Sequence, residues 1–128
     1  MLVNAKEQLT LRWFDMATDG PGLKSLFDEC YPHEQWQLAD FNRLINASHR
    51  QNVLKVLTVG DKLIVGAIVY SVRATSCRIR RIAVREEYRR RGFGRMMLSA
   101  LTGPNSPTRR QNFTIHVRED NLVALLFV

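Results

Sequence analysis

The segment Arg89-Arg90-Arg91-Gly92-Phe93-Gly94-Arg95 constrains this chain more than any other. A strand-like run, Arg78-Ile79-Arg80-Arg81-Ile82-Ala83-Val84, precedes it, and a helix-like run, Met96-Met97-Leu98-Ser99-Ala100-Leu101, follows it. A glycine-interrupted turn that opens a helix points several backbone N–H groups at one spot, and the helix dipole makes that spot electropositive. The arginines around it add full charges and fork-shaped donors suited to phosphate. The local physics predicts a diphosphate-binding turn between a strand and a helix.

The rest of the chain supplies a frame for that turn. Gln8 to Met16 reads as a strand, Asp19-Gly20-Pro21-Gly22 as a turn, and Leu23 to Tyr31 as a short helix with Leu23, Leu26, Phe27 and Cys30 on one stripe. Pro32 breaks that helix, and a second is predicted from Glu34 to Ala47. Val53 to Val59, Gly60-Asp61 and Lys62 to Val72 carry a hairpin signal. Cys77 to Val84 is another strand. Phe93, Met96, Met97, Ala100 and Leu101 then mark an amphipathic helix, with both methionines expected in the core. Gln111 to Arg118 alternates as a strand, and Asp120-Asn121 caps a last segment, Leu122 to Val128. The order is β-α-α-β-β-β-α-β-α. The crossover from Cys77 to Arg118 makes its two strands parallel, while the hairpin makes the whole sheet mixed. No repeat or linker interrupts the chain, so residues 1–128 are expected to form one domain. Trp13, Phe14 and Trp36 are expected to pack in it.

The chain has 19 Lys+Arg against 12 Asp+Glu, a net charge of +7. That balance favours anionic partners: a nucleotide cofactor, RNA or a ribosomal surface. Two cysteines, Cys30 and Cys77, suggest no disulfide framework, and no Cys/His spacing resembles a metal site. The N-terminus lacks a secretory core, and the longest apolar runs are too short to span a bilayer. A cytoplasmic protein with reduced thiols, no metal and no membrane partner is expected.

Three phosphate-binding patterns compete for the glycine turn. A P-loop needs Lys-Ser/Thr after its last glycine, where this chain has Arg95-Met96. A dinucleotide fingerprint needs a third glycine or alanine where Met97 stands. The acyl-CoA pyrophosphate pattern, Arg/Gln-x-x-Gly-x-Gly/Ala, is matched in register by Arg89, Gly92 and Gly94. In this context, Ile82-Ala83-Val84-Arg85-Glu86-Glu87-Tyr88 followed by the turn resembles the central motif of the GNAT superfamily of acetyl-CoA-dependent N-acetyltransferases. Val117-Arg118-Glu119-Asp120-Asn121-Leu122-Val123-Ala124 is similar to a segment of the RimI-like branch, which acetylates the N-terminal alanine of a small-subunit ribosomal protein.

The resemblance implies an α/β (α+β) GNAT-like fold: a mixed, mostly antiparallel sheet with splayed parallel central strands and flanking helices. It implies acetyl-CoA as co-substrate, with a protein N-terminus as the amine acceptor. Backbone groups of Ile82, Ala83 and Val84 would pair with the pantetheine arm like an added strand. Amides and side chains of Arg89, Arg90, Arg91, Gly92, Phe93, Gly94 and Arg95 would hold the pyrophosphate. Asn121 would contact the cofactor near its thiol end. The branch's glutamate base is replaced by His116, and its tyrosine acid falls at Val128, the last residue. The C-terminal hairpin of the fold is expected to be missing, which leaves two alternatives: the chain is a truncated form, or a neighbouring molecule such as a second copy of the chain covers the exposed end. An unperturbed imidazole titrates near ~6.5, so His116 can accept a proton directly or through water. An α-amine, with a pKa of about 7.7–8.0 against about 10.4 for lysine, is easier to deprotonate by roughly 3 kcal/mol. Two rivals remain: an impaired GNAT-fold protein that binds acetyl-CoA without turnover, and a basic RNA- or ribosome-binding module.

Overall fold

A computed structural model describes residues 8–45, 51–60, 63–73, 76–101 and 114–117. The predicted hairpin forms as β2 (Gln51–Val59) and β3 (Leu63–Arg73), with Gly60 at φ +66 in the turn. A left-handed residue there favours glycine, which has no Cβ to clash. β1 (Leu9–Trp13) lies antiparallel to β2, and β4 (Ser76–Val84) antiparallel to β3. β5 (Thr114–Val117) lies parallel to β4, so the crossover prediction holds. The strands run β1-β2-β3-β4-β5 across one mixed sheet.

Both faces of this sheet are covered, which explains the unbroken apolar run of β3: Ile64, Val65, Ala67, Ile68, Val69 and Tyr70 are all buried. On one face α1 (Met16–Cys30) and α2 (Leu38–Ile45) press Leu23, Leu26, Phe27 and Phe41 onto Leu54, Val56, Ile64, Ala67, Val69 and Ala83. On the other, α3 (Phe93–Ser99) brings Phe93 and Met97, with Leu101 just beyond it, onto Leu57, Val65, Ile68, Ile82 and Val84. Met97 is fully buried, whereas Met96 is 41% exposed, contrary to its expected core position. The contact stripe is Phe93, Met97 and Leu101, spaced i, i+4 and i+8, and narrower than the sequence suggested. Trp13 is 62% exposed and takes the Lys55 ammonium 5.5 Å above its ring instead of packing.

The largest departure is at Asp19-Gly20-Pro21-Gly22. The sequence reads there as a turn, but α1 runs straight through it from Met16. The helix starts early because Asp15 is extended and its carboxylate accepts from the Ala17 N–H at 3.0 Å, an N-cap. Asp19 reaches back to accept from the Asp15 N–H at 2.7 Å. The glycines serve close approach. A Cβ on Gly20 would stand 3.2 Å from Leu38 Cδ2, and one on Gly22 3.0 Å from Ile64 Cδ1. The second helix is also shorter than expected, since Gln35 takes φ +51 and the chain enters α2 only at Leu38.

Asp19 joins β1 to α1. Its buried carboxylate accepts from both Nη atoms of Arg12, at 2.6 and 2.8 Å. The Arg12 guanidinium, outweighing the cost of burial, holds this carboxyl below its ordinary value. Asp19→Asn keeps the shape and removes the charge. It is expected to lower unfolding free energy by about 2–3 kcal/mol at neutral pH, read as a shift in denaturation midpoint. A lowered folded-state pKa stabilises above the unfolded value and loses that stabilisation as pH falls through the folded one. The difference between wild type and variant is therefore expected to shrink below about pH 4.

Candidate functional site

The course of β4 is set by one extra residue. Its register with β3 passes from Val69↔Arg81 to Tyr70↔Ile79, so Arg80 is bulged out. The bulge shifts the alternation by one position. Cys77 and Ile79 before it, and Ile82 and Val84 after it, all join the α3-side core. Among the described residues the parallel partner reaches only as far as the bulge, β5 being in register with Ser76–Ile79. Among the described residues, Ile82–Val84 have no strand on the side away from β3.

The backbone groups on that open side can be identified. The Arg85 N–H donates to Val65 O of β3 at 2.8 Å, so by alternation the Ile82 and Val84 carbonyls point away from β3. The Tyr31 hydroxyl donates to Ile82 O at 2.7 Å. Val84 O receives Arg89 Nε at 2.8 Å and the Cys30 thiol at 3.5 Å. Tyr31 stands at the C-terminal end of α1, its ring edge-on to Phe27 with centroids 5.6 Å apart and beneath the Arg81 guanidinium at 5.5 Å. Burial pushes its hydroxyl up to about 12, so it remains a donor at neutral pH. The sequence marks Tyr31 as the end of a helix, but no local signal ties it to a carbonyl 51 positions along the chain.

Beyond Val84 the chain makes a 3-10 turn, Glu86–Tyr88, and enters α3 through Gly92 at φ +85. Arg90 is also left-handed, at φ +64. Turns of this kind gather successive N–H groups into an anion-binding concavity. The first N–H groups of α3 have no acceptor within the helix and add to it. A Cβ on Gly92 would meet nothing within 4 Å, so the space in front of the turn is open.

The arginines divide between building the turn and facing solvent. Arg85 holds it to the sheet and to α1: Nε donates to Ile64 O at 2.7 Å, Nη2 to Gly22 O at 3.4 Å, and Nη1 lies 3.6 Å from Glu29. Arg89 turns inward to Val84 O and, through Nη2, to Cys30 Sγ at 3.5 Å. Arg91 Nη2 donates to Glu87 O at 2.6 Å and its guanidinium lies 5.1 Å from the Tyr88 ring, which stacks on Phe93. Arg90 and Arg95 are exposed. Phe93 and Gly94 are buried at the start of α3. Of the side chains expected at a phosphate, those of Arg89 and Arg91 instead tie the turn together.

On the α1–α2 side of the parted sheet lies a cavity of about 620 Å³, lined by Glu34, Trp36, Asp40, Arg43, Leu44, Asn52 and Arg81. A second, of about 300 Å³, shares Trp36, Leu44 and Arg81 with it and adds Val69, Arg78, Ile79 and Arg80. The walls of the larger cavity are organised by ion pairs. Arg81 Nη2 meets Glu34 at 2.9 Å, Arg43 meets Asp40, and Trp36 Nε1 donates to Glu34 at 2.6 Å. Trp36 stacks on Phe41 at 5.5 Å, so it both packs and lines the cleft. His116 falls in β5, in register with Arg78. Its side chain lies outside the described residues, as do Asn121 and Val128. Among the described residues no three His, Cys, Asp or Glu side chains gather as a metal site requires, and no helix is long and apolar enough to cross a membrane.

This architecture has counterparts among solved structures. An aminoglycoside N-acetyltransferase, AAC(6')-Iy, in complex with CoA superposes with a TM-score of 0.72 at 15% identity, over 96% of this chain and 86% of that one. An acetyltransferase from Trypanosoma brucei gives 0.69 at 18% identity, over 91% and 88%. A ribosomal-protein-alanine N-acetyltransferase from Brucella melitensis gives 0.69 at 12% identity, over 91% and 87%. At these identities the likeness is one of fold. No curated protein matches the sequence significantly. The acetyltransferase (GNAT) family model, however, matches residues 20–127, most of the chain, and the protein therefore belongs to that family.

Proposed function

We propose that this protein transfers an acetyl group from acetyl-CoA to an amine, and that its acceptor is a protein N-terminal α-amine. The observation that carries the first half is the open edge of β4 at Ile82–Val84 running directly into the Arg89–Gly94 turn. An extended arm with amide groups fits such an edge as an added strand, and a pyrophosphate fits the N–H groups of the turn. Arg90 and Arg95 supply the exposed charge beside it. In the transfer the amine nitrogen attacks the thioester carbonyl, the C–N bond forms and the C–S bond breaks. His116 takes the ammonium proton directly or through water, and the thiolate leaves. Asn121 assists near the thiol end.

The acceptor half rests on the segment 117–124 and on the likeness to a ribosomal-protein-alanine enzyme, which makes an alanine terminus the first candidate. The aminoglycoside enzymes among the neighbours suggest a polycationic acceptor instead. Charge disfavours that reading. The cleft carries Arg43, Arg78, Arg80 and Arg81 against Glu34 and Asp40, on a chain of net charge +7.

Gly92→Asp and Gly92→Asn separate charge from shape. Both residues tolerate a left-handed backbone, and both enter open space. By calorimetry, Asp is expected to weaken acetyl-CoA binding at least about tenfold more than Asn, the effect of one close charge near a phosphate. Equal losses would remove the turn from the phosphate site.

Peptides with a free alanine terminus should show higher kcat/KM than N-blocked peptides with an internal lysine, and than an aminoglycoside. His116→Gln should lower kcat about 10²-fold or more and remove the lower limb of the pH–rate profile, with acetyl-CoA affinity kept. Acetyl-CoA binding with no turnover on any amine would replace this reading with that of an impaired binder. RNA binding unaffected by CoA would favour a nucleic-acid module.

A further inference from the structure

The open edge of β4 is not empty of donors. The two carbonyls that point away from β3, those of Ile82 and Val84, are held by groups from the end of α1 and from the turn: the Tyr31 hydroxyl, the Cys30 thiol and Arg89 Nε. The Tyr31 bond, at 2.7 Å, is short for this set. It takes the acceptor that an amide N–H of an added strand would use, at about 2.9 Å from the same carbonyl. Tyr31 is not held by that bond alone. Phe27 abuts its ring, and Arg81 lies over it while pairing with Glu34. Phe27 also abuts Trp36, at 5.1 Å.

We propose that Tyr31 is a built-in stand-in for the thioester arm. In the free protein its hydroxyl satisfies Ile82 O; when acetyl-CoA binds, an amide N–H of the arm takes that carbonyl and Tyr31 swings away. This rests on the reading that the arm lies along Ile82–Val84. Tyr31 is the last residue before the Pro32–Trp36 segment, and Glu34 and Trp36 line the larger cavity. Its departure therefore reshapes the acceptor cleft. The exchange costs the free protein one internal hydrogen bond and returns one to the ligand. Tyr31 thus lowers the affinity for acetyl-CoA and makes the shape of the existing cleft depend on whether the acetyl donor is bound.

The test is Tyr31→Phe, which keeps the ring and removes the donor. Isothermal calorimetry is expected to show acetyl-CoA bound about 3–10-fold more tightly than by wild type, the weight of one net hydrogen bond lost from the free state. The melting temperature of the variant should fall below wild type without ligand and match it at saturating acetyl-CoA. A merely structural tyrosine would lower both equally. A second measurement leaves Tyr31 in place. In a Trp13→Phe background Trp36 is the only tryptophan, and its emission should shift on adding acetyl-CoA. Unchanged or weaker binding by Tyr31→Phe, with silent Trp36, overturns the exchange while leaving the acetyl-CoA site intact. If neither wild type nor variant binds acetyl-CoA, the assignment of the edge falls and the exchange with it. Binding by the variant alone supports the exchange in its strongest form.

Discussion

The guanidinium of Arg85 is the joint on which the site hangs. It is only 14% exposed and reaches three separate parts of the chain: Ile64 O on β3, Gly22 O and Ser25 on α1, and Glu29 one turn further along that helix. Glu29 also accepts from the Glu86 N–H at 2.8 Å. A planar cation with five donors can serve several acceptors at once, which a lysine ammonium on a flexible stem does less well. Because these acceptors belong to the sheet and to the helix across it, the start of the turn is fixed relative to both. The Arg89–Gly94 backbone then has little freedom in where it presents its N–H groups.

The other constraint is a mismatch. β4 keeps pairing with β3 to its last residue, yet among the described residues its pairing with β5 reaches only to Ile79, beside the bulge at Arg80. A parallel pair cannot be closed by a tight hairpin, so nothing local forces the two strands to stay together. Gly66, opposite Val84, helps β4 stay close on its other side: a Cβ there would stand 3.0 Å from Ala83 O and 3.3 Å from Met97 Cε. The sheet is tight on one flank of β4 and parted on the other, and the parted flank faces the cleft.

Much of this was legible in the sequence. Alternation and turn residues located the hairpin and β4, and the glycine spacing located the turn, because these signals are local. The miss at residues 19–22 came from reading glycine and proline as turn formers where the glycines answer to Leu38 and Ile64, contacts that sequence cannot show. The exposure of Met96 and Trp13 reflects the narrowness of one helix stripe and a position on an outer strand. Within the site, the arginines of the turn look alike as letters. Only folding divides Arg89, bonded to Val84 O, from exposed Arg90 beside it. The tyrosine at Ile82 O depends on two distant segments meeting, and no spacing rule would have found it.

Cys30 has a chemical consequence of its own. Its thiol sits between Val84 O and the Arg89 guanidinium, and burial pushes its pKa up despite that neighbouring cation. Cys77, fully buried in the core, is pushed further, to about 11. Attack on disulfides, peroxides and alkylating agents requires the thiolate, so both sulfurs are chemically quiet while the fold is closed. Their quietness differs in kind. Cys77 is exposed only by unfolding, but Cys30 stands at the edge of the parted sheet, where a small separation of α1 from β4 would admit water and restore an ordinary thiol. The rate at which Cys30 can be labelled is thus a chemical clock for the breathing of that edge.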